Sequence, residues 1–190
     1  MLFADLTLQS VAMRIAALLL IAAVQGYSLA QTANLLGDRG PRYDGRRRIN
    51  PLVHLDLLGG LLVVLFGLGW TRPMVIDPRV KSRGRLVIVL AGAAATLAVS
   101  TVLELMRPLL LHGLADTTAA AFFVLVETVG QVCVGFALFN LIPLPPLTAG
   151  MLVRWPSSGA WRLGMTGAAC VLAVAFGSGM ATSAVSRIFG

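Results

Sequence analysis

The chain has 190 residues, of which 57% are hydrophobic and 12% are charged, with a mean hydropathy of +0.86 and a formal charge of +7. A soluble domain usually carries about 25% charged residues, so the composition excludes an ordinary soluble protein and indicates an integral membrane protein. The basic residues lie in short segments between apolar runs, which is typical of cytoplasmic loops rather than of a nucleic-acid-binding surface. We therefore expect membrane lipids and other membrane proteins as partners, and no nucleic acid.

Four apolar runs reach the length of about 20 residues that a membrane-spanning helix needs. They cover approximately residues 9–33, 86–106, 118–142 and 161–185. The first run begins after Asp5 without a basic segment before it, so we expect no cleavable signal peptide. The pattern predicts an all-α multi-pass protein with a single membrane domain over residues 1–190, ending in the helix at about 161–185.

A fifth run, Leu52–Trp70, is ambiguous because His54, Asp56 and two glycines interrupt its first half. The loop before it holds five arginines, and the loop after it holds four arginines and one lysine. A full crossing would place one basic loop on the non-cytoplasmic side, against the positive-inside tendency. We therefore favour a re-entrant hairpin over a fifth span, with the N-terminus outside and the end of the run 118–142 at the cytoplasmic face.

Two charged residues fall inside predicted spans, where charges are costly and usually paired. Arg14 lies in the outer part of the first run, and Glu127 lies near the middle of the third. They could pair with each other, find separate partners, or, for Glu127, meet another subunit. The last run is rich in small residues, which suits close helix packing within this chain or against a second membrane protein.

The third run ends in "FNLIPLPPLTAG", Phe139–Gly150, with three prolines in four positions. This stretch resembles the NxxPxPxLDG motif of the site-2 proteases, a family of intramembrane zinc metallopeptidases. In that family the prolines open the helix and the aspartate is a zinc ligand. The aspartate position here holds Thr148.

Three further stretches are similar to segments of the compact bacterial branch of this family, in the same order. They are "INPLVHLDLLGG" from Ile49, "GWTRPMVIDPRV" from Gly69 and "VIVLAGAAATLAVS" from Val87. The last departs from the family's pattern at Ala93 and Thr96, where proline and asparagine are usual. The resemblance implies a site-2 protease-like core over about residues 9–150, located in a bacterial inner membrane.

The family's catalytic motif, HExxH, aligns with Gln25-Gly26-Tyr27-Ser28-Leu29. In the family the two histidines bind zinc from one helix face and the glutamate activates the bound water. Gln25, Gly26, Leu29 and Thr148 replace all three ligands and the base. The resemblance thus implies a degenerate catalytic site with no metal and no other cofactor.

The leading hypothesis from the sequence is a catalytically inactive homologue that holds a partner transmembrane helix as a binding or assembly subunit of a membrane complex. An active protease whose zinc ligands come from unconventional residues or from a partner is the alternative, and a lipid- or cofactor-binding subunit is a third. The groove for a partner would be lined by the first run and the run 118–142, with the segment from Arg72 at its edge. The candidates are Asn140, Pro143, Pro145, Pro146, His54 and Asp56.

The remaining candidate groups favour structural roles. His54 and Asp56 could form a reassigned polar site near Gln25, but a hairpin-stabilising role is the simpler interpretation. His112, in a short outer loop, is expected to be solvated or interfacial. No histidine is placed to act as a catalytic partner of Ser28 or Ser100, so both serines are expected to support helix packing. The cysteines, Cys133 and Cys170, are interpreted as small buried apolar residues.

Overall fold

The computed structural model describes residues 7–111, 116–153, 155–156 and 158–189, with side chains outside 109–119 and 178–189. The described residues form helices without any strand. The helices are α1 (Leu8–Leu35), α2 (Gly40–Tyr43), α3 (Pro51–His54), α4 (Leu57–Phe66), α5 (Ser82–Leu111), α6 (Asp116–Phe139) and α7 (Gly159–Phe189). A 3-10 turn, Thr148–Leu152, follows the proline segment. The protein is therefore an all-α integral membrane protein.

Helices α1, α5, α6 and α7 each contain a stretch that is long and apolar enough to cross a membrane. They correspond to the four runs predicted from the sequence. Helix α6 ends at Phe139, three residues before the predicted end at 142, because Asn140 and the prolines after it leave the helix. His112 and Arg154 lie outside the described residues, so their surroundings are not described.

The fifth run forms a closed hairpin. Helix α4 has ten residues, which correspond to about 15 Å at 1.5 Å per residue, half of a hydrocarbon core. The chain then returns in extended form, and the Arg72 N–H donates to the His54 carbonyl at 2.7 Å. A full crossing would separate the two ends of the run by the membrane thickness. The contact between them supports the re-entrant interpretation.

Local sequence explains each end of α4. The Asp56 carboxylate accepts from the Gly59 N–H at 2.8 Å and caps the N-terminus. Gly67 ends the helix with φ of 76°, a left-handed conformation that glycine adopts without steric cost. The returning chain lies so close that a side chain on Gly59 would overlap the Trp70 carbonyl. These features fix the hairpin as a tight unit.

The half-buried tip of the hairpin packs against α1 and α7 and receives a charged donor. Arg14 of α1 donates to the carbonyls of Val64 and Leu65 at 3.1 and 2.8 Å. The last carbonyls of a helix have no partner within that helix, and leaving them unsatisfied in a membrane is costly. Glu127 instead lies 3.4 Å from Arg107. The structure therefore gives the two intramembrane charges separate partners rather than an Arg14–Glu127 pair.

Three buried apolar clusters join the elements. The first joins α1, α4 and α6 around Ile21, Val63 and Phe136. The second joins α1, α5 and the returning chain around Leu29, Ile76 and Ile88. The third joins the hairpin, the proline segment and α7 around Trp70, Leu147, Ala169 and Ala173. Helix α7 approaches the hairpin tip closely, since a side chain on Gly177 would overlap the Phe66 carbonyl.

Candidate functional site

The candidate site lies where the middle of α1 meets the hairpin and the proline segment. Gln25, Gly26 and Leu29 are buried on the inward face of α1. The spacing of four residues between Gln25 and Leu29 places both on one helix face, as the HExxH alignment requires. Each of these three residues contacts a different neighbouring segment of the chain.

His54 fills the space beside Gly26. A Cβ atom built on Gly26 would overlap the Cγ and Nδ1 atoms of the imidazole. The ring is 1% exposed, and its Nε2 lies 3.2 Å from the Arg48 carbonyl. The volume that a glutamate side chain would enter at position 26 is therefore occupied by His54.

Burial of His54 lowers the pKa of its imidazole, the Arg48 hydrogen bond raises it, and the nearby charge of Arg46 lowers it further. The net direction is downward from the usual value of about 6.5, so the ring is neutral at neutral pH. A neutral ring that contacts backbone is consistent with the hairpin-stabilising interpretation of His54. Asp56, two residues on, caps α4 and accepts from the Trp70 indole N–H at 3.0 Å.

Gln25 is bonded to the returning chain. The Thr71 hydroxyl donates to the Gln25 Oε1 at 3.3 Å, and both residues are buried. Leu29 packs against α5, where a side chain on Gly92 would meet its Cδ2 atom at 2.7 Å. Neither position offers a charged or imidazole ligand.

Thr148 belongs to a network centred on Asn140. The Thr148 hydroxyl and N–H both lie within hydrogen-bond distance of the Asn140 Oδ1, at 3.1 and 3.2 Å. The Asn140 Nδ2 donates to the carbonyls of Gly69 and Phe136 at 2.9 and 3.0 Å. The side chain thereby joins the end of α6, the hairpin and the 3-10 turn. The sequence predicts Asn140 as a groove residue, and the structure gives it this fully bonded position at 2% exposure.

A cavity of about 170 Å³ opens between α1, the returning chain and the proline segment. Leu29 and Thr148 line it, so two of the positions that the resemblance aligns with zinc ligands face one space. Pro145 and Pro146 line it as well, whereas Pro143 is exposed and is not among the lining residues. The other lining residues are Thr71, Arg72, Pro73, Met74, Leu147, Gly150 and Met151.

The donor set does not fit zinc. Structural and catalytic zinc sites use cysteine, histidine and carboxylate ligands, and the corresponding positions here offer an amide, a methyl-terminated side chain and a hydroxyl. In the part of the chain that the structure describes, no three His, Cys, Asp or Glu side chains lie close enough together to hold a metal ion. The oxygens of Gln25 and Thr148 are already hydrogen-bonded.

Sequence reasoning missed the role of Arg46. Its guanidinium donates to the carbonyls of Arg72 and Pro73 at 3.0 Å each, and the residue is 8% exposed. From the sequence, the arginine triplet that contains Arg46 is expected to set topology, with contact to anionic lipid or an acidic partner as a secondary role. The structure shows that Arg46 also anchors the returning chain beside the cavity. The serines behave as expected: Ser28 donates to the Ala91 carbonyl and Ser100 to the Gly130 carbonyl of neighbouring helices.

One curated relative agrees with the resemblance read from the motifs. The chain is 29% identical over 131 residues to a Bacillus subtilis protein with the name "Putative zinc metalloprotease YwhC". The match covers 66% of this chain and 60% of the relative. No protein-family model matches the chain, and no solved structure matches it significantly. The likeness supports a site-2 protease-like relationship.

Proposed function

We propose that the chain is a catalytically inactive site-2 protease homologue that serves as a binding or assembly subunit of a membrane complex in a bacterial inner membrane. The observation that carries the proposal is the His54 ring against Gly26. A general base at that position would have to displace a buried side chain. The position is thus packed as protein interior rather than held open for a water molecule.

The polar groups around the site support the same proposal. The Gln25 Oε1 accepts a hydrogen bond from the Thr71 hydroxyl, and the Thr148 hydroxyl donates one to the Asn140 Oδ1. In an active metalloprotease, the ligands at these positions would have to point their lone pairs at the metal. These bonds stabilise the hairpin and the 3-10 turn, and they favour a scaffold over a catalyst.

The cavity supplies a place for a partner. Apolar side chains dominate its walls, with Leu29, Leu147 and Met151 among them. Side chains from a neighbouring transmembrane helix could enter this space and bury apolar surface. The proposal is that the groove retains such a helix without cleaving it, since hydrolysis would need a metal-activated water.

Metal content and partner content in one sample test the proposal. The full chain would be purified in a mild detergent from native membranes and assayed for zinc and for co-eluting proteins. We expect less than one zinc ion per chain and a co-eluting partner protein in a molar amount about equal to that of the chain. Stoichiometric zinc would overturn the proposal and favour the alternative of an active protease with unconventional or partner-supplied ligands.

Site-specific crosslinking tests the groove itself. A photoreactive amino acid replaces Met151, which lines the cavity and is half-buried. The matched control replaces Leu90, which is 50% exposed on α5 and lies outside the cavity. We expect a crosslink to the co-purified partner from position 151 and a much weaker one from position 90. Equal yields from both positions would contradict a partner in the groove.

A further inference from the structure

Helix α6 carries polar side chains on a face that the described part of the chain leaves open. Glu127, Gln131, Val134 and Leu138 follow one another at spacings of four, three and four residues, which places them on one stripe of the helix. Gln131, Val134 and Leu138 are exposed, and the Glu127 side chain is 38% exposed. The opposite face of α6 is buried against α1 through Val129, Cys133 and Phe136.

The polar part of this stripe lies well inside the membrane span. Helix α6, Asp116–Phe139, has 24 residues and is about 36 Å long, and Glu127 and Gln131 lie about 16 and about 22 Å along its axis. Both residues are thus near the middle of a helix that is longer than a hydrocarbon core of about 30 Å. Polar side chains at such depth normally face the interior of a bundle or a partner.

The neighbouring helix α5 supplies one cation to this face. A single Arg107 nitrogen lies 3.1 Å from the Glu104 carboxylate and 3.4 Å from the Glu127 carboxylate. The guanidinium also lies over the Phe123 ring at 3.9 Å. Gln131 donates to the other Glu127 oxygen at 2.7 Å. Two carboxylates therefore share one guanidinium nitrogen, and the face keeps a formal charge of −1.

An ionised carboxylate has about four acceptor positions, and the contacts above use few of those available on Glu104 and Glu127. The face therefore offers acceptors and an excess negative charge towards the lipid. A second copy of this chain would bring a second negative excess to the interface. A helix that carries a cation would balance the charge and donate to the open acceptors.

We propose that the α5/α6 face, formed by Glu104, Arg107, Phe123, Glu127 and Gln131, docks a partner transmembrane helix that carries an arginine or lysine near the middle of its membrane-spanning part. This interface goes beyond the proposed function and does not depend on it. It uses a different surface from the cavity beside Leu29 and Thr148. The basic side chain of the partner lies against Glu127, and its apolar side chains cover Val134 and Leu138.

A designed peptide tests the chemistry of this face directly, because the peptide carries the basic group and no other feature of a natural partner. The probe is a leucine-alanine transmembrane helix with one arginine near its middle, and matched peptides carry leucine or glutamate there. The full chain, fused to a fluorescent protein, is reconstituted in phosphatidylcholine vesicles, and energy transfer to dye-labelled peptide reports association. We expect the arginine peptide to associate at least fivefold more tightly than the leucine peptide, and the glutamate peptide less tightly than either.

Substitutions on the chain test whether the preference for the arginine peptide arises at this face. The double variant E104Q/E127Q is expected to reduce the arginine preference below twofold, whereas D44N, which removes one exposed loop carboxylate, leaves it unchanged. Gel filtration checks that each variant folds. The comparison of the three peptides with the wild-type chain tests the proposal even if a variant does not fold. Equal association of the three peptides overturns the proposal. An arginine preference that survives in folded E104Q/E127Q, or self-association of the chain that exceeds peptide binding, overturns it as well.

Discussion

Two polar regions lie along and just after α6, and they differ in burial and in charge. The region around Asn140 is buried and neutral, and its bonds join α6, the hairpin and the 3-10 turn. The region around Glu127 is charged and partly exposed on α5 and α6. The first completes the fold from within one chain. The second keeps a charge excess that a partner can balance, so the comparison separates polar groups for folding from polar groups for association.

The largest expected effect comes from the buried region. Asn140→Leu removes the donor to the Gly69 carbonyl and the acceptor of the Thr148 N–H, and each buried polar group left unsatisfied costs about 1–3 kcal/mol. The Phe136 carbonyl keeps its bond from the backbone N–H of residue 140. We expect a loss of about 3 kcal/mol in the free energy of unfolding, measured by denaturant titration in detergent micelles. Leu138→Ala, on the exposed stripe of α6, is the control and should cost well below 1 kcal/mol. Similar losses for both variants would refute the structural role of Asn140.

Gly26→Ala tests the packing of the candidate site. The added methyl group overlaps the His54 ring, and overpacking of a core costs about 1–3 kcal/mol. We expect a destabilisation of about 2 kcal/mol, measured by the same denaturant titration.

The double variant Gly26→Ala/His54→Ala provides the control for that prediction, because removal of the ring makes room for the methyl group. The Gly26→Ala substitution should therefore cost less in the His54→Ala background than in the wild type. Additive losses would mean that Gly26 and His54 do not contact each other as described.

Arg14→Leu tests the polar anchor of the hairpin tip. The change removes the donors to the Val64 and Leu65 carbonyls, and hydrogen bonds to a charged group contribute about 1.5–3 kcal/mol each. We expect a loss of about 2 kcal/mol and increased protease sensitivity near Gly67. Arg14→Lys keeps a donor and should recover part of the loss; an unchanged stability of Arg14→Leu would exclude the anchoring role.

The smallest effect on the isolated chain is expected from Glu127→Gln. More than a third of the side chain is exposed, and pairs of this kind contribute about 0–1 kcal/mol. Unfolding of the purified chain should therefore change by less than about 1 kcal/mol. A loss as large as that of Asn140→Leu would remove the distinction between the two polar regions and place Glu127 in the fold itself.

Much of the fold follows from patterns that the sequence displays. The four long helices appear as apolar runs, and the hairpin appears as a run interrupted by His54 and Asp56 between two basic loops. Hydropathy predicts the end of α6 at 142 rather than at Phe139, because the apolar run continues through Leu141 and Ile142 after the helix has ended. Helix ends depend on local bonding, which hydropathy does not report.

The partners of polar side chains could not be read in the same way. Arg14 and Glu127 are the charged residues within two neighbouring predicted spans, yet Arg14 bonds the hairpin tip and Glu127 lies beside Arg107. Arg46 resembles a topology signal within a basic triplet, and only its position beside the returning chain reveals its two bonds. Such contacts depend on helix rotation and depth, which one sequence leaves open.

The sequence by itself determined that the chain is a membrane protein and where its long helices lie, and its resemblance to the site-2 proteases predicts which positions align with their metal-binding motifs. These properties follow from residue type and spacing, since an apolar run or a motif is visible without contacts. Only the tertiary structure decided that His54 fills the space beside Gly26, that Asn140 bonds Thr148, and that Glu127 faces outward. Those facts depend on the packing of segments distant in sequence, whose mutual approach is set by the whole bundle.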